Sequence, residues 1–174
     1  MNFAKIIFVA ALAAACTARE PAEGPFAPET GVVFRGNAAR QLIHQCSRQG
    51  PGPVQGTWTP GAAQISELEP KLAALVGRRL RCRGESPALS THYYRQYGGL
   101  IIDGSRIIYV NGIASEVAER HYGRDWRRRP MGLCDGGSMA FGAEFNPATG
   151  EITHFTFDGS LTPPPGDPTQ CDAN

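Results

Sequence analysis

A chain of 174 residues with 41% hydrophobic and 19% charged side chains suits one ordinary domain rather than two, and it is too apolar to be disordered as a whole. Its 21 Gly and 14 Pro predict a loop-rich fold that still buries a core. The formal charge of +1 averages over a polarised chain: Arg35 to Arg129 holds 15 basic and 7 acidic side chains, whereas Pro130 to Asn174 holds six acids and no Lys or Arg.

The first five residues, MNFAK, carry one cation, and Ile6 to Ala15 then runs ten residues without a polar group. Ten is half of the roughly 20 apolar residues that a membrane-spanning helix needs. A charged start, a short apolar run and small residues before a cut predict a secretory signal over residues 1–15. Cleavage there leaves Cys16 as the new N-terminus. LAAAC (Leu12 to Cys16) resembles a bacterial lipobox, although Ala13 stands where lipoprotein signals usually place Leu, with Leu12 one position earlier. That resemblance implies diacylglycerol on the Cys16 sulfur and an acyl chain on its amine, and several chains hold a membrane far more firmly than one. Thr17 follows, where Asp would favour retention at the inner membrane, so the expected address is the outer membrane, facing the periplasm. A soluble periplasmic or secreted protein is the alternative.

Cysteine counting agrees with lipid attachment. Of Cys16, Cys46, Cys82, Cys134 and Cys171, removing the first leaves four, which predicts two disulfides in an oxidising compartment with three possible connectivities. No CxxC pair is present, so neither a zinc knuckle nor a thiol redox pair is expected, and no metal or cofactor. Thr17 to Thr30, rich in Ala, Pro, Glu and Gly, reads as a mobile tether, giving residues 16–31 that role. The folded domain is placed at 32–160. A Pro-rich tail, 161–174, follows, and Cys171 offers a way to pin it to the body.

Asn37 to Cys46 predicts a helix with Asn37 as N-cap and Ala39, Leu42, Ile43 and Cys46 on one face. A second begins at Thr59-Pro60, with Ile65, Leu68, Leu72, Leu75 and Val76 as its stripe. Pro70 lies inside that stripe and predicts a kink or two short helices. From Tyr93 the period changes to two. Gly99 to Ile113 holds β-branched runs around Asp103-Gly104, a hairpin signal, and Ser138 to Gly159 repeats the plan around Asn146 to Gly150. The predicted fold is α+β: N-terminal helices packed on a four-stranded antiparallel sheet made of two β-hairpins, a two-layer sandwich.

Three blocks, HQCSRQGPGPVQGTWTP, YYRQYGGLIIDGSRIIYVNG and CDGGSMAFGAEFNPATGEITHFTFDG, resemble a group of small bacterial exported proteins built from the same segments. The likeness spans residues 40 to 159 and speaks to fold. It brings no known activity, so no functional residue is transferred. The resemblance implies a Cys46–Cys134 pair, with Cys82 and Cys171 left as the second.

Fifteen of the 17 basic residues are Arg, clustered at Arg78 to Arg83 and Glu119 to Arg129. Arg124, Trp126 and Arg127 offer a surface for phosphate, carboxylate or sugar, because guanidinium binds planar anions bidentately and aromatic rings stack. In HYYRQY, alternation puts Tyr93, Arg95 and Tyr97 on one face, a second candidate surface. Charge runs are more often solvated faces, and strand tyrosines more often pack in a core. Enzyme motifs fail individually. GGSM around Ser138 lacks the spacing of a nucleophile elbow, the four histidines fall in separate elements, and Cys134 beside Asp135 sits in an expected turn. The sequence therefore predicts a lipid-anchored cell-envelope protein with a binding or structural role, its partner an envelope protein or an anionic glycan or lipid rather than nucleic acid. The alternative is a small periplasmic hydrolase with its site across the two hairpins.

Overall fold

The computed structural model describes residues 29–159. The expected signal segment 1–15, Cys16, most of the expected tether 16–31 and the expected tail 161–174 with Cys171 lie outside the described residues. The fold is a mixed α+β domain with a six-stranded sheet and three α-helices. The strands are β1 (Gly31–Phe34), β2 (Val54–Trp58), β3 (Tyr93–Ile102), β4 (Ser105–Ala114), β5 (Ala140–Asn146) and β6 (Glu151–Phe157), and the helices are α1 (Gly36–Gln41), α2 (Ala62–Cys82) and α3 (Ser115–Tyr122).

Both expected hairpins form. Asp103 and Gly104 take φ of 48° and 72°, the pair of positive values that a tight two-residue turn between twisted strands requires, and β3 pairs with β4 along all ten residues. β4 then pairs antiparallel with β5, and β5 with β6. The sheet differs from four strands by what lies along the other edge of β3. β1 runs parallel to Arg95–Gly98, and β2 runs antiparallel to Gly99–Ile102, so two short strands share one long edge end to end.

On one face lies α2. Ile65, Leu68, Leu72, Val76 and Leu80 recur at helical spacing and pack on Tyr93, Tyr97, Ile108, Val110, Phe141, Ala143 and Phe145. The rings interlock: Tyr93 meets Phe141 edge-on at 5.1 Å, and Phe141 stacks with Phe155 at 5.4 Å. The helix starts two residues later than its Thr-Pro signal, with Gly61 at the N-cap and the Gln64 side chain accepting the Gly61 N–H at 2.8 Å. Nor does Pro70 divide it. The helix is continuous over 21 residues, with Pro70 on its solvent side, where the carbonyl its missing N–H leaves unbonded is open to hydration.

The opposite face is covered too, which corrects the two-layer expectation. α1 is shorter than predicted, six residues with Arg35 at its N-cap, and it seats Ala39 and Leu42 with Phe34 on Leu100 and Tyr109. Beside it α3, the 3-10 turn after it and the segment around Met131 bury Ile113, Ala118, Trp126 and Ala140. With helices on both faces, the central stretches of β3 and β4 have no solvated side, so Gln96 and Asn111 there are buried as deeply as the apolar residues beside them.

Candidate functional site

A groove of about 400 Å³ runs between α2 and the outer strand β6. Its helix wall is a consequence of α2's periodicity. Residues 71, 74, 75, 78 and 79 occupy the stripe next to the buried one, and they supply Lys71, Ala74, Leu75, Arg78 and Arg79. Ile152, Thr153, His154 and Phe155 of β6 form the other wall. The groove therefore joins three cations of the helix to apolar surface from Leu75, Ile152 and Phe155. Lys71 is fixed in it, donating to Glu67 Oε1 at 2.8 Å and to the Gly150 carbonyl at 2.5 Å. Arg83, one turn further on, lies over the Phe157 ring at 5.3 Å and bonds Glu85 at 3.3 Å.

β6 is an outer strand, and among the described residues nothing pairs with its far edge. Asp158 N–H donates to the Ala140 carbonyl at 3.0 Å, which fixes the phase of the ladder. Alternation then turns the backbone N–H and C=O of Phe155 and Phe157 away from β5 to the outer edge. An irregularity opposite Glu144 and Phe145 interrupts the register beside Thr153, a common device for limiting uncontrolled edge pairing.

The other face of the sheet holds a sealed polar network that sequence reasoning did not find. Arg48 forms an ion pair with Asp158, donates to Asn111 Oδ1, and reaches Tyr109 Oη at 3.2 Å. Asn111 donates to Gln96 Oε1 at 3.2 Å and to the Met131 carbonyl at 2.9 Å, while Gln96 donates to the carbonyls of Trp126 and Arg129 at 2.6 and 2.8 Å. Gln96 and Asn111 are wholly buried. Burial pushes the Asp158 carboxyl above its ordinary range, and Arg48 pulls it back. A disulfide between Cys46 and Cys134 closes this region, and Ser47 ties it further by accepting the Asp135 N–H at 2.9 Å and, through its carbonyl, the Gly159 N–H at 2.7 Å. Cys82 stands in the last turn of α2, and its expected partner Cys171 lies outside the described residues.

Tyr93, Arg95 and Tyr97 do share a face, but it is the one beneath α2, so they form no exposed surface. Tyr97 Oη donates to Glu69 Oε1 at 2.5 Å, Arg95 pairs with Glu69 Oε2 at 3.0 Å and bonds Thr30 Oγ1 at 3.0 Å, and burial followed by Glu69 drives the Tyr97 hydroxyl well above its usual range. Trp126 is likewise buried, stacked on Tyr94 at 4.3 Å, with the Arg127 guanidinium over its ring at 4.4 Å. Arg124 and Arg127 are exposed. Among the described residues no group of three His, Cys, Asp or Glu side chains is placed to hold a metal, and no helix is long and apolar enough to cross a membrane. Ser138 Oγ donates to Glu85 at 2.6 Å. Comparison with family models, with characterised proteins and with solved structures finds no match.

Proposed function

We propose that this chain is a lipid-anchored binding module of the cell envelope, held by Cys16 at the outer membrane on its periplasmic side, whose α2–β6 groove receives an extended, acidic segment of a partner protein. The observation that carries the binding role is the groove itself: cations of α2 along one wall, Leu75, Ile152 and Phe155 beneath them, and outward backbone groups of Phe155 and Phe157 at its rim. An extended chain laid along such an edge gains main-chain hydrogen bonds for affinity, and the adjoining groove selects its side chains. Acidic side chains complement Lys71 and Arg78, and the charges speed encounter as well as fixing register.

The anchored address rests on the charged start, the ten-residue apolar run and the small residues before Cys16, together with an odd cysteine count. A small periplasmic hydrolase is the second reading. It draws on Glu144 and His154, which face each other across β5 and β6, with burial raising the Glu144 carboxyl above its ordinary range. Binding is preferred because His154 lines the groove and Glu144 does not.

A photocrosslinking amino acid at Ala74, exposed on the groove wall, tests the reading in intact envelopes. The expected result is one discrete protein adduct that Lys71→Glu/Arg78→Glu abolishes and that the same probe at Asn37, on the opposite face, does not give. Adducts of equal yield from both positions, or an adduct indifferent to the charge reversal, would overturn it.

A further inference from the structure

The arginine-rich turn after α3 lies where the chain enters the domain. The Arg127 guanidinium donates to the carbonyl of Glu29, the first described residue, and to that of Gly31 at 3.5 Å, so this turn is bonded directly to the end of the tether. Residues 120–129 hold five arginines, Arg120, Arg124, Arg127, Arg128 and Arg129, against one acid, Asp125, and all five arginines are exposed. Of the two acids just before them, Glu119 is engaged by the Tyr94 hydroxyl and Glu116 lies one turn earlier on α3.

The patch is also built on fixed ground. Trp126 is buried against Tyr94, Gln96 holds the carbonyls of Trp126 and Arg129, and Arg129 lies over the Tyr122 ring at 5.2 Å. From Cys16 to Glu29 there are 13 residues, which span at most about 45 Å fully stretched and about 20 Å as a coil. On the anchored reading, a segment of that length keeps the end of the domain at Glu29 within reach of the lipid surface.

We propose that Arg124, Arg128 and their neighbours form a membrane-facing patch that docks on anionic lipid headgroups and sets which way the anchored domain points. This rests on the anchored reading for its geometry. With the tether end against the bilayer, the patch and the lipid act together, the two-signal arrangement that converts reversible attachment into stable and oriented attachment. Each arginine close to an anionic surface is worth roughly fivefold in binding, and the gain fades beyond a Debye length of about 8 Å.

Vesicle sedimentation of the exported chain carrying Cys16→Ser, which lacks the lipid, tests the patch without depending on acylation. Vesicles of phosphatidylcholine mixed equally with phosphatidylglycerol are compared with phosphatidylcholine alone. The expected result is salt-sensitive binding to the anionic vesicles only, weakened at least about tenfold by Arg124→Glu/Arg128→Glu and unchanged by Arg81→Glu/Arg106→Glu, exposed on α2 and β4. Equal binding to both vesicles, or equal loss in the two variants, would overturn the patch. Binding to isolated peptidoglycan in place of vesicles would overturn it as well, by assigning the patch to the wall polymer. Failure of Cys16 to carry lipid, read separately by mass, would instead remove the anchored reading and leave the vesicle result standing.

Discussion

Arg48 and Asp158, 110 residues apart in sequence, form an ion pair whose side chains are 1% and 0% exposed. Arg48 leaves the loop after α1, and Asp158 directly follows β6, so one contact ties the start of the domain to its end. Water excluded from such a pair makes each charge costly without the other. Asp158→Asn or Arg48→Met alone is predicted to cost about 3–5 kcal/mol in urea unfolding. A loss below about 1 kcal/mol, the range of a surface pair, would contradict the sealed network.

The network also sets the residue at position 142. Arg48 crosses β5 at Gly142, where a Cβ would stand 2.8 Å from both Arg48 Nε and Tyr109 Oη. Neither atom retreats without breaking its bonds. Gly142→Ala is therefore predicted to destabilise by about 1–3 kcal/mol, the usual cost of overpacking, and its midpoint in urea should fall accordingly. An unchanged midpoint would mean that Arg48 takes another path.

Cys46 and Cys134 close a loop with a sequence separation of 88. Constraint of the unfolded chain by so long a loop predicts a loss of about 2–5 kcal/mol for Cys46→Ser/Cys134→Ser. Thermal unfolding of the oxidised protein beside the double variant measures this. Equal transition temperatures would show that the bonds of Ser47 already hold the same segments.

Burial raises the Glu144 carboxyl above its ordinary value of 4.5, with His154 opposing. The folded state then holds the proton to higher pH than the unfolded state. This contribution is fully present below the unfolded pKa and is lost as pH rises through the folded one. Glu144→Gln is predicted to raise the transition temperature at neutral pH, with the difference closing below about pH 4. The same difference at both pH values would place the effect in packing instead of charge.

Much of this architecture was legible from local pattern. Asp103-Gly104 announced the central hairpin, and Ile65, Leu68, Leu72 and Val76 announced α2, because a turn and an amphipathic stripe are encoded within a few residues. β1 and β2, at four and five residues, form only because β3 offers them an edge, so their own sequences say little. α3 was missed for a similar reason, since a helix of eight residues depends on packing for its stability. Alternation correctly joined Tyr93, Arg95 and Tyr97, yet gave no sign of which face met solvent; both faces are covered, and the polar set of Gln96 and Asn111 is buried as well. Arg48 read as one more basic residue, its partners lying 61, 63 and 110 positions away. The groove was half legible: Leu75 stood in the predicted stripe and the Arg run beside it, but their meeting with β6 is a tertiary fact.

In the proposed reading, attachment through Cys16 is what would bring the groove to its partner and orient the arginine patch at the bilayer. The intact mass of protein purified from the membrane fraction, with and without Cys16→Ser, tests that claim most directly. The account predicts a chain beginning at Cys16 and heavier by its acyl groups, with the added mass lost in the variant. An unmodified chain in both preparations would contradict it.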